Sequence, residues 1–232
     1  MEQVIVSSHD PVTLLGGSDH AEADLAEAMA HAPLLVAADG GGDRALLAGQ
    51  RPAAVIGDMD SLSASAREIL ADVLHPVSEQ ETTDFDKALR AIAAPLVLAV
   101  GVSGGRFDHE LAALTVLARH PDRPCLVIGR ESLVFLCPPR LRLDTAPGTT
   151  VSIFPLVAGR VESEGLEWPT TGLDLAPDGR IGTSNRATGP VALAPEAPQM
   201  LVILPRDQLA VAVRALLAQV GVASGRWPAR AG

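Results

Sequence analysis

Acidic residues fall at the ends of apolar runs in four places along this chain. LLVAAD (34–39) closes on Asp39 and is followed by Gly40, Gly41 and Gly42, while AAVIGD (53–58) closes on Asp58, with Asp60 two residues on. LVLAVGV (96–102) runs into Ser103, Gly104, Gly105, Arg106, Phe107 and Asp108, and Glu81, Asp84 and Asp86 surround the start of the segment that carries Lys87, the only lysine in the chain. Carboxylates gathered in one place repel each other unless a cation offsets the repulsion. Magnesium takes hard oxygen ligands, usually one or two carboxylates completed by water and substrate phosphates. Asp58 and Asp60, two apart on an extended stretch, suit that task. Taken singly, Asp60 or Asp84 beside a helix start is equally well read as a cap; four such segments together point to a metal site. The glycine turns at Gly40–Gly42 and Gly104–Gly105 either present backbone N–H groups to phosphate oxygens or simply turn the chain. Neither GxxxxGK[ST] nor GxGxxG occurs, so the common phosphate-loop motifs are absent.

Such residues act together only if the elements carrying them share an edge. VTLLGG (12–17), LLVAAD, AAVIGD, LVLAVGV and CLVIG (125–129) read as strands. They alternate with helical patterns at 24–32, 44–50, 64–73, 83–93 and 109–119. Alternation of this kind predicts a parallel sheet covered on both faces. Ligands of such sheets bind outside the carboxyl ends of the strands, where the acidic residues lie. From about Ser132 the pattern changes to short segments separated by Pro and Gly: LVFLC, RLRLD, TTVSIFPL, GRVESEG, RIGTS, GPVALA and QMLVILP. That spacing predicts an antiparallel sandwich. The expected architecture is therefore an open, Rossmann-like α/β sandwich over 1–131 followed by an antiparallel β-sandwich over 132–232. DQLAVAVRALLAQ (207–219) reads as a closing helix, and GVASGRWPARAG as a frayed tail.

Composition excludes several classes. A net charge of −10 over 232 residues lacks the basic face that a nucleic-acid binder needs. No run approaches the roughly 18 apolar residues of a membrane span, and MEQVIVSSHD has no secretory pattern. A cytoplasmic location is expected. Cys125 and Cys137 lie inside apolar runs without ligand spacing, which reads as two buried thiols. His9, His20, His31, His75 and His120 also lack ligand spacing and read as surface or helix residues. Seventeen of the eighteen basic residues are Arg and Tyr is absent; neither skew carries function.

DGG (39–41), GDMDS (57–61), TDFDKAL (83–89) and GGRFDH (104–109), in this order, resemble the signature of the thiamine pyrophosphokinases. The resemblance continues through GLEW (165–168) and TSN (183–185), and so spans nearly the whole chain. It implies transfer of a diphosphoryl group from ATP to the hydroxyethyl oxygen of thiamine, with magnesium as cofactor and AMP as the second product. It also implies a homodimer with the active site at the interface. By the same resemblance, Asp58, Asp60 and Asp84 bind the metal, supported by Asp39, and Lys87 and Arg106 neutralise phosphate charge. Asp39, Gly40, Gly41, Gly104, Gly105 and Asp108 fall on the nucleotide side, and a metal-side carboxylate is the natural general base. Ser184 and Asn185 match the thiamine-contacting segment, with Trp168 either flanking the slot or packed within the β half. The chain departs from the pattern at His109, where Gln is common, and at Glu81, where Asp is frequent. Trp227 receives no role.

Two other readings compete. AAVIGDMDS also resembles the strand and DxD of aspartate-nucleophile phosphatases, although these need a further lysine and the only one belongs to TDFDK. A thiamine or nucleotide sensor on the same fold would have lost catalysis, against which stands the full set of acidic positions.

Overall fold

The computed structural model describes residues 4–221 and 225–229. By their contacts the residues group into two compact units, Met1–Val116 with Val127–Arg130, and Leu117–Leu126 with Glu131–Gly232. Leu117–Leu126, expected in the first domain, thus groups with the second unit.

The first unit contains β1 (Val6–Ser7), β2 (Val12–Leu15), α1 (Glu22–His31), β3 (Leu34–Ala38), α2 (Gly41–Leu47), β4 (Ala54–Gly57) and α3 (Ala64–Ile69). It continues with β5 (Leu74–Pro76), α4 (Asp84–Arg90), β6 (Ile92–Ala93) and β7 (Val97–Val100), after which α5 (Phe107–Arg119) and β8 (Cys125–Ile128) straddle the unit boundary. The main strands lie in the order β7–β2–β3–β4–β5, and every neighbouring pair is parallel. β2, β4 and β7 are buried at every position, and β3 at all but its first. Burial on both faces is what makes them continuous apolar runs rather than alternating ones. The chain steps outward from β2 to β3, β4 and β5, then returns to β7 on the other side of β2. All five strands consequently deliver their following loops to one rim, with the reversal of order at β2 and β7.

Some boundaries differ from expectation. The helix foreseen over 44–50 starts at Gly41. The one foreseen over 83–93 ends at Arg90, and Ile92–Ala93 instead forms β6, paired in parallel with β1. The Ala91 carbonyl, which accepts from the amides of Ile5 and Val6, opens that ribbon. α3 and α4 begin where their caps dictate: the Ser63 hydroxyl accepts from Ala66 N–H and the Thr83 hydroxyl from Asp86 N–H.

The second unit contains β9 (Ser132–Leu136), β10 (Leu141–Leu143), β11 (Thr150–Pro155), β12 (Val161–Leu166), β13 (Gly182–Pro195), β14 (Met200–Pro205) and α6 (Leu209–Leu217). All its pairings are antiparallel, in the order β10–β13–β11–β14–β9 with β12 also on β13. RIGTS and GPVALA, two segments by pattern, fall on one strand, β13, of 14 residues. Residues 182–186 pair with β11, residues 191–193 with β10, and β12 pairs along 187–195. Pro190 has no N–H to donate, and β12 bulges opposite it at Gly165 (φ +75°), where any Cβ would lie 2.1 Å from the Pro190 carbonyl. The tail differs from expectation at 225–229: Trp227 Nε1 donates to the Cys137 carbonyl at 2.9 Å. Residues 222–224 and 230–232 of that expectation lie outside the described residues. Both cysteines are free and buried, and burial pushes both thiols well up. Among the described residues no helix is long and apolar enough to cross a membrane.

Candidate active site

Four carboxylates and one ammonium meet at the rim of the parallel sheet. Asp39 follows β3, Asp58 and Asp60 follow β4, and Asp84 and Lys87 lie on α4, the helix entered after β5. One oxygen each from Asp39, Asp58 and Asp60 lies within 4.8 Å of the others. Lys87 Nζ sits beneath them, 3.1 Å from Asp58 Oδ2 and 3.0 Å from Asp84 Oδ1. Asp84 Oδ1 also accepts from Asp58 N–H at 3.3 Å, and Asp58 Oδ1 from Asp60 N–H at 3.2 Å.

The local sequence explains the arrangement. In the D-M-D triplet Met59 is buried with Leu62, Ala66 and Leu70, so the two flanking aspartates stand on the outer side of the loop. This costs backbone strain, because Met59 has φ +69° and Asp39 φ +40°. Each left-handed non-glycine residue of this kind costs on the order of 1–3 kcal/mol. Arg67 from α3 offsets part of it by donating to the carbonyls of Met59 and Leu62. Gly57 makes the close approach possible: a Cβ there would lie 2.8 Å from Asp39 Cβ and 3.0 Å from Asp84 Oδ1. Gly41 and Gly42 are packing residues as well. A Cβ on Gly41 would meet the Leu15 carbonyl at 2.1 Å, and one on Gly42 the Leu62 side chain at 2.7 Å.

The charges are unevenly satisfied. Burial pushes Asp39 up, and the Ser61 contact only partly reverses this. Its Oδ2 accepts from Ser61 N–H at 3.1 Å, whereas its buried Oδ1 has no hydrogen-bond partner. For Asp58, burial acts upward but is outweighed by the Lys87 hydrogen bond and the Asp60 amide, so its pKa is lowered. Lys87 is 2% exposed; burial pushes it down, and the hydrogen bonds of Asp84 and Asp58 override this to hold it above the usual lysine value. Four carboxylates with one ammonium remain strongly anionic. An orphaned buried carboxylate oxygen beside two others is the donor set of a hard divalent cation, and the residues present fit one.

The remaining expected residues divide. Lys87 lies under the carboxylates, sealed from solvent, and neutralises them rather than an outward-facing phosphate. Glu81 is exposed, and its amide donates to Glu79. Arg106 and Asp108, both exposed, bond each other at 3.1 and 2.5 Å at the start of α5, and no hydrogen bond joins them to the cluster among the described residues. Gly104 (φ +87°) donates its amide to Glu110 Oε1 at 2.9 Å, and a Cβ on Gly105 would approach Ser18 Oγ at 3.3 Å. A Cβ on Gly40 would approach Ser61 Cβ at 3.3 Å. His109 is exposed, its amide on Asp108 Oδ1. In the second unit Trp168 is 53% exposed rather than packed. Ser184 has φ +59° and Asn185 is buried.

Sequence reasoning missed Ser61, whose amide holds Asp39 and whose hydroxyl holds Asp60 Oδ1 at 2.9 Å, and Gln80, which reaches Asp58 Oδ2 at 3.3 Å. It also missed the loop after β2. There Ser18 N–H bonds the Gly101 carbonyl, His20 Nδ1 lies 3.1 Å from the Ser18 carbonyl, and Arg44 holds Asp19. Gly16 and Gly17 at the end of an apolar run were the available signal.

Residues 25–128 match the family model described as thiamin pyrophosphokinase, catalytic domain, and residues 140–192 match that described as thiamin pyrophosphokinase, vitamin B1 binding domain. The chain belongs to the thiamine pyrophosphokinase family. The first match contains the whole acidic cluster, and the second contains Trp168, Ser184 and Asn185. Thiamine pyrophosphokinase 1 of Arabidopsis thaliana is 28% identical over 190 residues, covering 67% of this chain and 71% of that protein. Thiamin pyrophosphokinase structures share the fold. That from Candida albicans has a TM-score of 0.69 at 15% identity, covering 86% of this chain and 92% of its own. The one from Geobacillus thermodenitrificans has 0.67 at 21%, covering 84% and 96%. These matches leave the phosphatase and sensor readings without support.

Proposed function

We propose that this chain is an ATP-dependent diphosphotransferase, moving the β,γ-diphosphoryl group of ATP to the hydroxyethyl oxygen of thiamine. The observation that carries the reading is the Asp39–Asp58–Asp60 cluster, with the orphaned Asp39 Oδ1, inside the segment that matches the family's catalytic domain. In the reaction the thiamine oxygen bonds to the β-phosphorus, the bridge to the α-phosphate breaks, AMP leaves with that oxygen, and the hydroxyl proton is lost. Magnesium, when bound, screens the phosphate charge that builds in such a transfer. Asp58 and Asp60 would hold it together with Asp39, and Asp84 joins them by resemblance. Lys87 keeps that anionic set assembled from below. Arg106 and Asp108, with Gly40, Gly41, Gly104 and Gly105, are assigned to the nucleotide side by resemblance. His109, Trp168, Ser184 and Asn185 are assigned to thiamine on the same ground.

The same reading carries a homodimer with the active site at its interface, as the family resemblance implies, and a cytoplasmic enzyme, in keeping with two unpaired thiols. Incubation with ATP, magnesium and thiamine should release AMP and thiamine diphosphate, and EDTA should stop it. Phosphate release without thiamine would instead support a phosphatase. Binding of thiamine without AMP would support a sensor.

A further inference from the structure

We propose that Asn185 is a positioning residue that acts on the substrate through Trp168, and does not itself contact the aminopyrimidine. The inference rests on the reading of Trp168 as part of the thiamine slot. The β12–β13 ladder has its last rung at Leu166 and Ala187, and Glu167 N–H then donates to the Arg186 carbonyl at 2.8 Å. Trp168 lies beyond the end of β12 and precedes Pro169, which has no N–H to extend the pairing. The Asn185 carboxamide supplies what the ladder no longer does. Its Oδ1 accepts from Trp168 N–H at 3.2 Å and from Arg186 N–H at 2.8 Å, while its Nδ2 donates to the Trp168 carbonyl at 2.6 Å. One side chain therefore satisfies both backbone groups of the tryptophan.

The exposures make the division of labour clear. Asn185 is 4% exposed and Trp168 is 53% exposed. A half-exposed indole is not fixed by close packing, so its backbone has to be fixed instead. With both Oδ1 acceptor positions filled and one N–H engaged, Asn185 keeps a single donor and no acceptor, which excludes the paired donor and acceptor that orient an aminopyrimidine. The indole is the group suited to a flat cationic ligand. Arg186 already places its guanidinium 5.9 Å from the ring centroid and is itself held by Glu167 at 3.3 Å.

The test uses the intact chain carrying Trp227→Phe, which leaves Trp168 as the sole tryptophan. Asn185→Ala, and Asn185→Asp as the isosteric variant that keeps the acceptors and loses the donor, should raise acrylamide quenching of Trp168 while melting stays cooperative. Each should raise the thiamine KM by about 10- to 100-fold, the scale of a misplaced positioning group, with little change in the ATP KM. In a double-mutant cycle, adding Asn185→Ala to Trp168→Ala should produce no further rise. A further rise of similar size in that background would show Asn185 touching thiamine and overturn the proposal. Unchanged quenching in both Asn185 variants would overturn it irrespective of activity. Absent thiamine turnover in the parent chain, with quenching still altered, would sink the functional reading and retain the clamp.

Discussion

The acidic rim of the parallel sheet and the Trp168 corner of the antiparallel unit hold their functional side chains by opposite means. At the rim, backbone turns following β3 and β4 and the start of α4 bring like charges together, and a buried ammonium beneath them keeps the set assembled. At the corner, no charge is concentrated; one neutral carboxamide fastens the backbone of an exposed ring. The first arrangement gathers like charge that a bound cation would relieve, whereas the second simply limits motion. Changes at the rim should therefore alter stability and metal response together, and changes at the corner should alter substrate affinity alone.

The largest expected effect tests the first half of that contrast. Lys87→Met should cost about 3–5 kcal/mol, the usual penalty for leaving buried charges without their partner, and should abolish turnover. Magnesium should raise the melting temperature of this variant more than that of the parent. Equal shifts would mean that the cation and the ammonium do not act on the same carboxylates. Asp58→Asn should leave a folded chain with at least about 100-fold lower turnover, the scale of a lost electrostatic contact at a reacting centre; parental turnover would remove Asp58 from the metal site.

Gly57→Ala asks whether close packing at the rim matters. Its Cβ would press on Asp39 and Asp84, and overpacking of this kind costs about 1–3 kcal/mol. Calorimetry should show that loss together with weaker magnesium dependence. In the other unit, Ser184→Gly removes a left-handed serine and should stabilise by up to about 1 kcal/mol. If the hydroxyl meets thiamine, the same variant should raise the thiamine KM, so stability and affinity would move in opposite senses.

The smallest effect concerns Asp108, which the Arg106 hydrogen bond draws down to about 2. A carboxylate with a lowered folded pKa contributes stability above its ordinary value near 4 that disappears as pH falls toward 2. The pair is fully exposed and screened, so acid titration of Asp108→Asn against the parent should differ only slightly, and only in that window. A difference near neutral pH would place Asp108 in contacts other than Arg106.

The two regions were also unequally legible in the sequence. DMDS after an apolar run announced the rim, since strand ends in a parallel sheet must share an edge. Ser61, Gln80 and Arg67 could not be read the same way, because their value lies in distances across loops. Resemblance gave Lys87 the task of neutralising phosphate charge, and no sequence pattern tells whether a helical lysine points into the rim or beneath it. In the second unit the alternating pattern foretold antiparallel strands but split β13 at Gly189 and Pro190, where the bulge at Gly165 lets the strand continue. Asn185 was legible as a polar residue in a matching motif, while its role depends on which hydrogen bonds the fold has already filled.

Burial of Lys87 has a practical corollary, since the folded chain offers reagents no accessible ε-amine. Acylating agents should leave Lys87 unlabelled in the native protein, and a lysine-specific protease should leave the bond after it intact. Cleavage after residue 87 would then time the opening of α4 away from the carboxylates, giving a clock for that event built into the chain's own composition.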